Sequence, residues 1–213
     1  MSTAWLRLPD EIYARSFAII RAEAELDRLP PALVPLALRV VHACGMVEVA
    51  SRLAWQGDPA AAGRTALARG RPVIADCRMV ASGVIRRRLP AGTDILCGLD
   101  RDETAAIAAR DGTTRSAAAL DALGDRLAGA VVAIGNAPTA LFRLLEIVAA
   151  GGPRPAAILA FPVGFVGAAE SKQALIEAGC GVPFLTLPGR MGGSAMASAA
   201  VNALWAPNEE GAG

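Results

Sequence analysis

The chain has 213 residues, 54% of them hydrophobic, and 21 basic side chains against 20 acidic ones leave a net charge of +1. That balance excludes the basic field expected of a nucleic-acid or membrane-surface binder. Glycine, proline or a charge also interrupts every apolar stretch before the ~20 residues needed to cross a bilayer. A mean hydropathy of +0.40 without such spans predicts buried parallel strands and a large subunit interface.

The first predicted element is a helix capped by Asp10 and running to about Leu29, where Pro30-Pro31 ends it. Tyr13, Phe17, Ile20 and Ala24 form one apolar stripe on it, Ser16 lies beside the stripe, and Glu11 and Arg15 are spaced as an i,i+4 pair. A second helix follows Pro35 and runs to about Trp55. Pro35, Arg39, His42 and Met46 share one of its faces, and Leu36, Val40, Ala43 and Val47 another. Two apolar faces imply burial on both sides, so Arg39 and His42 should point together into a crevice or an interface.

From Arg71 onward the pattern alternates. Strands are expected at 72–76, 94–97, 130–134, 156–160 and 183–187, each an apolar run without alternation, as in parallel strands covered on both faces. Helices are expected at about 101–110, 115–128, 138–150, 169–179 and 194–205. The architecture predicted is a three-layer α/β/α sandwich around a mainly parallel sheet of about five strands, with an N-terminal helical segment. One domain should span residues 1–206, followed by a frayed tail at 207–213.

Cys44, Cys77, Cys97 and Cys180 lack the close spacing of a zinc site, and a chain of this size needs no disulfide framework. They read as small buried hydrophobes in a reducing compartment. The segment Met1–Trp5 carries no basic region followed by an apolar run, so a cytoplasmic location is expected.

Three strand-to-helix loops are rich in glycine and polar groups: residues 135–139, 161–167 and 188–194. Pro138 suits the first turn of its helix and Ser194 an N-cap. In open α/β sheets ligands lie at this carboxyl edge, where helix N-termini attract anions. Glycines that merely make tight turns would explain each loop alone. None carries a dinucleotide or phosphate-loop fingerprint. No Gly-x-Ser-x-Gly elbow exists, and Cys44 lies on a different side of its helix from His42. One histidine without clustered carboxylates argues against a catalytic metal. His42 is the only histidine and the only side chain whose ordinary pKa lies near neutrality; it is either a satisfied core residue or the proton handler of the site. One proton handler, several arginines and a polar-edged cleft suit isomerisation of a large, anionic, reactive substrate.

The segments Ser16–Glu23, Arg39–Met46, Thr113–Ala118, Ala133–Phe142, Pro162–Lys172 and Gly189–Ser194 resemble, in order and over nearly the whole chain, the precorrin-8X methylmutase family of cobalamin biosynthesis. Gly-Asn-Ala-Pro-Thr-Ala at 135–140 and Pro-Val-Gly-Phe-Val-Gly-Ala at 162–168 are the most specific strings. One local departure is Val40-Val41-His42, where many relatives read Met-Ile-His; both keep an apolar helical face. The resemblance implies a cofactor-free isomerase that moves a methyl group from C-11 to C-12 of precorrin-8X to give hydrogenobyrinate. His42 would protonate a tetrapyrrole nitrogen or hydrogen-bond to it. Ser16 and Arg39 would contact substrate, and Arg115 would reach a carboxylate arm, from the partner subunit. Ser116, Asn136, Thr139, Gly164, Arg190, Gly192 and Gly193 complete the binding set it implies. A homodimer with its site near the interface is implied, with no metal, nucleic acid or membrane as partner; neighbouring cobalamin-pathway enzymes are further candidate partners. The alternatives are a cobalt-precorrin-8 methylmutase of the anaerobic route, a corrinoid carrier without catalysis and, least favoured, a nucleotide-binding α/β protein.

Overall fold

The computed structural model describes residues 5–205; the tail expected at 207–213 lies outside them. Helix α1 spans Pro9–Glu23, with Pro9 in its first turn and Asp10 and Glu11 at its positive end. Asp10 is therefore inside the helix rather than its cap, and no side chain caps α1. The helix also stops short of Leu29. Ala24 turns to extended backbone, and a turn closed by Leu29 N–H on Leu26 O (2.9 Å) puts Leu29 in the core.

After a 3-10 turn at Pro31–Leu33, helix α2 spans Val34–Cys44. It ends at Gly45, which adopts φ 71° and donates its N–H to Val41 O at 2.8 Å. The expected continuation to Trp55 is replaced by the short helix α3, Val49–Arg52, and strand β1, Ala54–Gln56. Helix α4, Pro59–Ala68, was not anticipated by the apolar pattern; Asp58 caps it by accepting the Ala61 N–H at 2.8 Å.

The remaining strands are β2 Val73–Ala75, β3 Ile95–Cys97, β4 Val131–Ile134, β5 Ala157–Ala160 and β6 Phe184–Thr186. Among the described residues the sheet has six strands in the order β1-β6-β5-β4-β2-β3, one more than expected. The additional strand is β1, an edge strand and the one antiparallel member, pairing Ala54 with Thr186 and Gln56 with Phe184. Three residues at the end of a helical pattern give too little alternation to be read as a strand.

Helices α5 Arg78–Gly83, α6 Asp102–Asp111, α7 Arg115–Leu123, α8 Pro138–Ala149, α9 Ala168–Glu177 and α10 Ser194–Leu204 complete the chain. Helix α7 ends at Leu123, with a 3-10 turn Gly124–Leu127 where more helix was expected. Central strands are buried on both faces. Val131 and Ala133 join one core with residues of α2, α4 and α10, whereas Val132 and Ile134 join another with residues of α7, α8 and α9. That division is the α/β/α sandwich, with α1 packed on the outside of α2. No helix among the described residues is long and apolar enough to cross a membrane.

The chain leaves β2 for β3 on one side and returns to β4 on the other, so the β2–β4 boundary is the topological switch point. Asp76 follows β2 there, 2% exposed. Its carboxylate accepts the backbone N–H groups of Gly135 (2.9 Å), Asn136 (2.9 Å) and Ala137 (2.7 Å). Burial pushes its pKa above the ordinary carboxylate value, with the three N–H donors pulling the other way. Gly135 must be glycine, since a Cβ would lie 2.7 Å from Ser194 Cα and 2.7 Å from Val80 Cγ2. The carboxylate thereby holds a loop against which the starts of α5 and α10 close. Asp76→Ala strands three backbone donors and should cost at least ~3 kcal/mol in urea unfolding followed by circular dichroism. Asp76→Asn, which keeps an acceptor oxygen, should cost less.

Candidate active site

The site begins with a contact between two helices. Tyr13 and Phe17 lie one turn apart on α1 with ring centroids 4.9 Å apart. Arg39 and His42 lie one turn apart on α2 and face them. Arg39 is 7% exposed; its Nη1 donates to the Tyr13 hydroxyl, and its guanidinium lies 5.3 Å from the Tyr13 ring and 5.5 Å from the Phe17 ring. The His42 ring stacks on Phe17 at 5.0 Å and 17°, and sits 5.3 Å from Tyr13 at a tilt. His42 is exposed. Partial burial, and then the charge of Arg39, lower its pKa below 6.5. One face of the imidazole is covered by Phe17 and the rest is open.

It opens onto a cleft of about 540 Å³, within the usual range for small-molecule sites. Tyr13, Arg39, His42 and Ala43 form one wall; Met79, Gly83 and Ile85 form a second. Helix α10 contributes the floor through Ser194, Ala195, Ser198, Ala199 and Asn202. Residues 194, 198 and 202 recur every turn, and small side chains there and at 195 and 199 leave room above the helix. Ser198 Oγ donates to its own helix at Ser194 O, 2.9 Å away. Ser194 is the first helical residue rather than the cap expected of it, and its Oγ lies 3.4 Å from the Cys77 thiol. Among the described residues no carboxylate lines the cleft, and Arg39 is its one cationic side chain.

Of the catalytic and substrate-binding residues proposed from the sequence, only His42 and Arg39 line this cleft. Ser16 is on α1 beside Phe17, its hydroxyl donating to Ile12 O at 2.8 Å. A second group gathers at the starts of α7 and α8. Thr114 Oγ1 donates to Thr139 Oγ1 at 2.8 Å, Ser116 is half-buried, and Arg115 is exposed with Nη2 donating to Leu99 O at 3.1 Å. Asn136 has an exposed side chain at the tip of the loop held by Asp76.

A third group joins the β5–α9 and β6–α10 loops. Gly164 N–H donates to Arg190 O (3.2 Å) and Gly193 N–H to Phe161 O (2.8 Å), while a Cβ on Gly192 would lie 2.3 Å from Phe161 O. The Arg190 guanidinium lies 5.3 Å from the Phe165 ring. Beneath them the wholly buried Lys172 donates to Met191 O at 2.7 Å, and burial together with Arg52 brings its pKa down to about 8. Most of the glycines singled out therefore make backbone approaches. The lining residues not proposed from the sequence as site residues include Tyr13, Met79, Ile85 and Asn202; Tyr13 was legible as the stripe neighbour of Phe17, and the residues of α10 only as a small-residue periodicity.

Comparison with known proteins points one way. The sequence profile of the precorrin-8X methylmutase family matches residues 11–206. A precorrin-8X methylmutase of a Sinorhizobium species is 56% identical over 203 residues, covering 95% of this chain and 97% of its own. A cobalt-precorrin-8 methylmutase of Priestia megaterium is 34% identical, covering 92% of this chain and 87% of its own. The crystal structure of a precorrin-8X methylmutase from Thermus thermophilus superposes with a TM-score of 0.82 at 35% identity, over 92% of this chain and 94% of its own.

Because the chain has a single histidine, one imidazole resonance reports the site. Its NMR titration should have a midpoint below 6.5, and Arg39→Gln should move that midpoint upward. An unmoved midpoint would show that the guanidinium is not felt by the imidazole.

Proposed function

The chain belongs to the precorrin-8X methylmutase family, and from that premise we propose that it isomerises precorrin-8X to hydrogenobyrinate with His42 as the proton donor and acceptor. The observation that carries this reading is the placement of His42. Its ring is braced on Phe17 and open to a cleft that, among the described residues, carries no other imidazole and no carboxylate.

The reaction is a rearrangement. The methyl–carbon bond at C-11 breaks as the bond at C-12 forms, the conjugated system shifts in step, and no atoms are gained or lost. A proton or a hydrogen bond from His42 on a ring nitrogen draws electron density from the adjacent conjugated carbon and favours migration. The depressed pKa makes the imidazolium the stronger acid for that step. Arg39 supports it twice, by bracing the aromatic pair and by supplying positive charge at a cleft that must accept an anionic macrocycle. No step in this scheme calls for a cofactor.

The reading includes a homodimer. Met79 at the cleft wall is 73% exposed, and Phe165 and Val166 are 85% and 90% exposed, an apolar surface suited to a second subunit. The Arg115 group lies on the opposite helical layer from His42, which suits a contribution from the partner's copy of that arginine to the substrate. A cytoplasmic biosynthetic setting belongs to the same reading. Identity of 56% to a relative named for precorrin-8X, against 34% for one named for cobalt-precorrin-8, favours the metal-free substrate.

Purified protein mixed with precorrin-8X should develop the visible spectrum of the orange corrin product. His42→Ala should slow the conversion by about 10²–10⁴-fold while still binding hydrogenobyrinate. Near-normal turnover by that variant would remove His42 from the chemistry, and loss of product binding with loss of turnover would make it a packing residue.

A further inference from the structure

The cleft holds one guanidinium, whereas the substrate proposed above carries several carboxylate arms. Of the other arginines implicated by the sequence, Arg115 is turned to Leu99 O and Arg190 lies over Phe165, and neither lines the cleft. Besides the partner's copy of Arg115, further basic groups for those arms are to be sought at the rim.

Ile85 lines the cleft, and the chain continues from it directly into a 3-10 turn, Arg86–Arg88. In such a turn successive side chains fan out by about a third of a circle. Arg88 is half-buried, whereas Arg86 and Arg87 are exposed and make no ion pair or side-chain hydrogen bond among the described residues. Arg78, next to the lining residue Met79, offers a contrast: it is tied up by Asp100.

The position of the turn is set from inside. Asn202, 5% exposed on α10, accepts the Ile85 N–H at 2.8 Å with its side-chain oxygen and donates to Gly83 O at 3.0 Å. Both functions of one buried amide are thus given to the backbone that joins the cleft wall to the arginine turn. A merely solvated basic loop needs no such anchor.

We propose that Arg86 and Arg87 are the rim receptors for carboxylate arms of the macrocycle, held at the cleft mouth by Asn202 as a positioning residue. Planar guanidinium forks bind carboxylates bidentately, and a rim location leaves the arms half-solvated while the ring enters the apolar cleft. This inference rests on the methylmutase reading and adds to it the residues that select a polycarboxylate.

The test crosses protein charge with ligand charge. Arg86→Gln/Arg87→Gln should raise Kd for hydrogenobyrinate and KM for precorrin-8X about tenfold, two half-exposed pairs being modest contributors. Its affinity for the same macrocycle with the carboxylates amidated should match that of the unaltered protein. Asn202→Ala should raise KM in the same direction, and its effect should shrink in the Arg86→Gln/Arg87→Gln background. Unchanged affinity of the double variant for the acid form, with normal turnover by the unaltered protein, overturns the rim assignment and leaves the function standing. An equal loss for acid and amidated ligands also overturns it, since charge would not be what the turn reads. Absence of turnover by the unaltered protein brings down the methylmutase reading itself.

Discussion

A buried guanidinium has to be satisfied, and the way Arg39 is satisfied organises the site. Its partners include the hydroxyl and ring of Tyr13 and the ring of Phe17 on α1. That contact docks α1 on α2 through the one side chain of α2 that is both charged and buried. It also places an aromatic face under His42, one turn further along, and a positive charge close enough to depress its pKa. Burial lowers the His42 pKa most, and the further lowering by Arg39 shares its cause with the packing of the outermost helix.

The location of the cleft follows from what the sheet edge already contains. At the switch point, where an open α/β sheet usually receives a ligand, the protein places its own carboxylate on three backbone donors. The loop next to it is sealed by Gly135 against α10, and the 188–193 loop is sealed by Gly192 against the Phe161 carbonyl. Those backbone donors are occupied, and the cleft lies off the edge, in the helical layer above it. There the small residues of α10 leave a floor and α2 supplies the wall that carries His42. Glycines that look like an anion cradle in sequence serve here as points of close approach.

Legibility varied with how local the physics was. Four of the five parallel strands were readable because burial on both faces writes an uninterrupted apolar run, and the half-buried edge strand β3 was readable because it keeps the same apolar run. Helix boundaries were readable where a proline opened the helix, as at Pro138, and not where a glycine inside an apolar run closed one, as at Gly45. Strand β1 was hidden because its three residues owe their form to β6, more than a hundred residues later. His42 and Arg39 were legible as a pair by their spacing of three. Their distance from Arg115 was not, because it depends on which helical layer each belongs to. Asp76 carried no local signal, since its meaning lies in donors about sixty residues away.

The amino-acid order alone determined the layered α/β plan, the family and the sole candidate for proton transfer, because burial periodicity and residue chemistry are written position by position. Tertiary structure decided the rest: that His42 is open while Arg39 is buried, that the cleft floor is α10, and that the Arg86–Arg88 turn follows directly on the cleft wall. Those outcomes depend on the packing of segments far apart in the chain, where one hydrogen bond, such as that from Asn202 to Gly83, sets which side chains share a space.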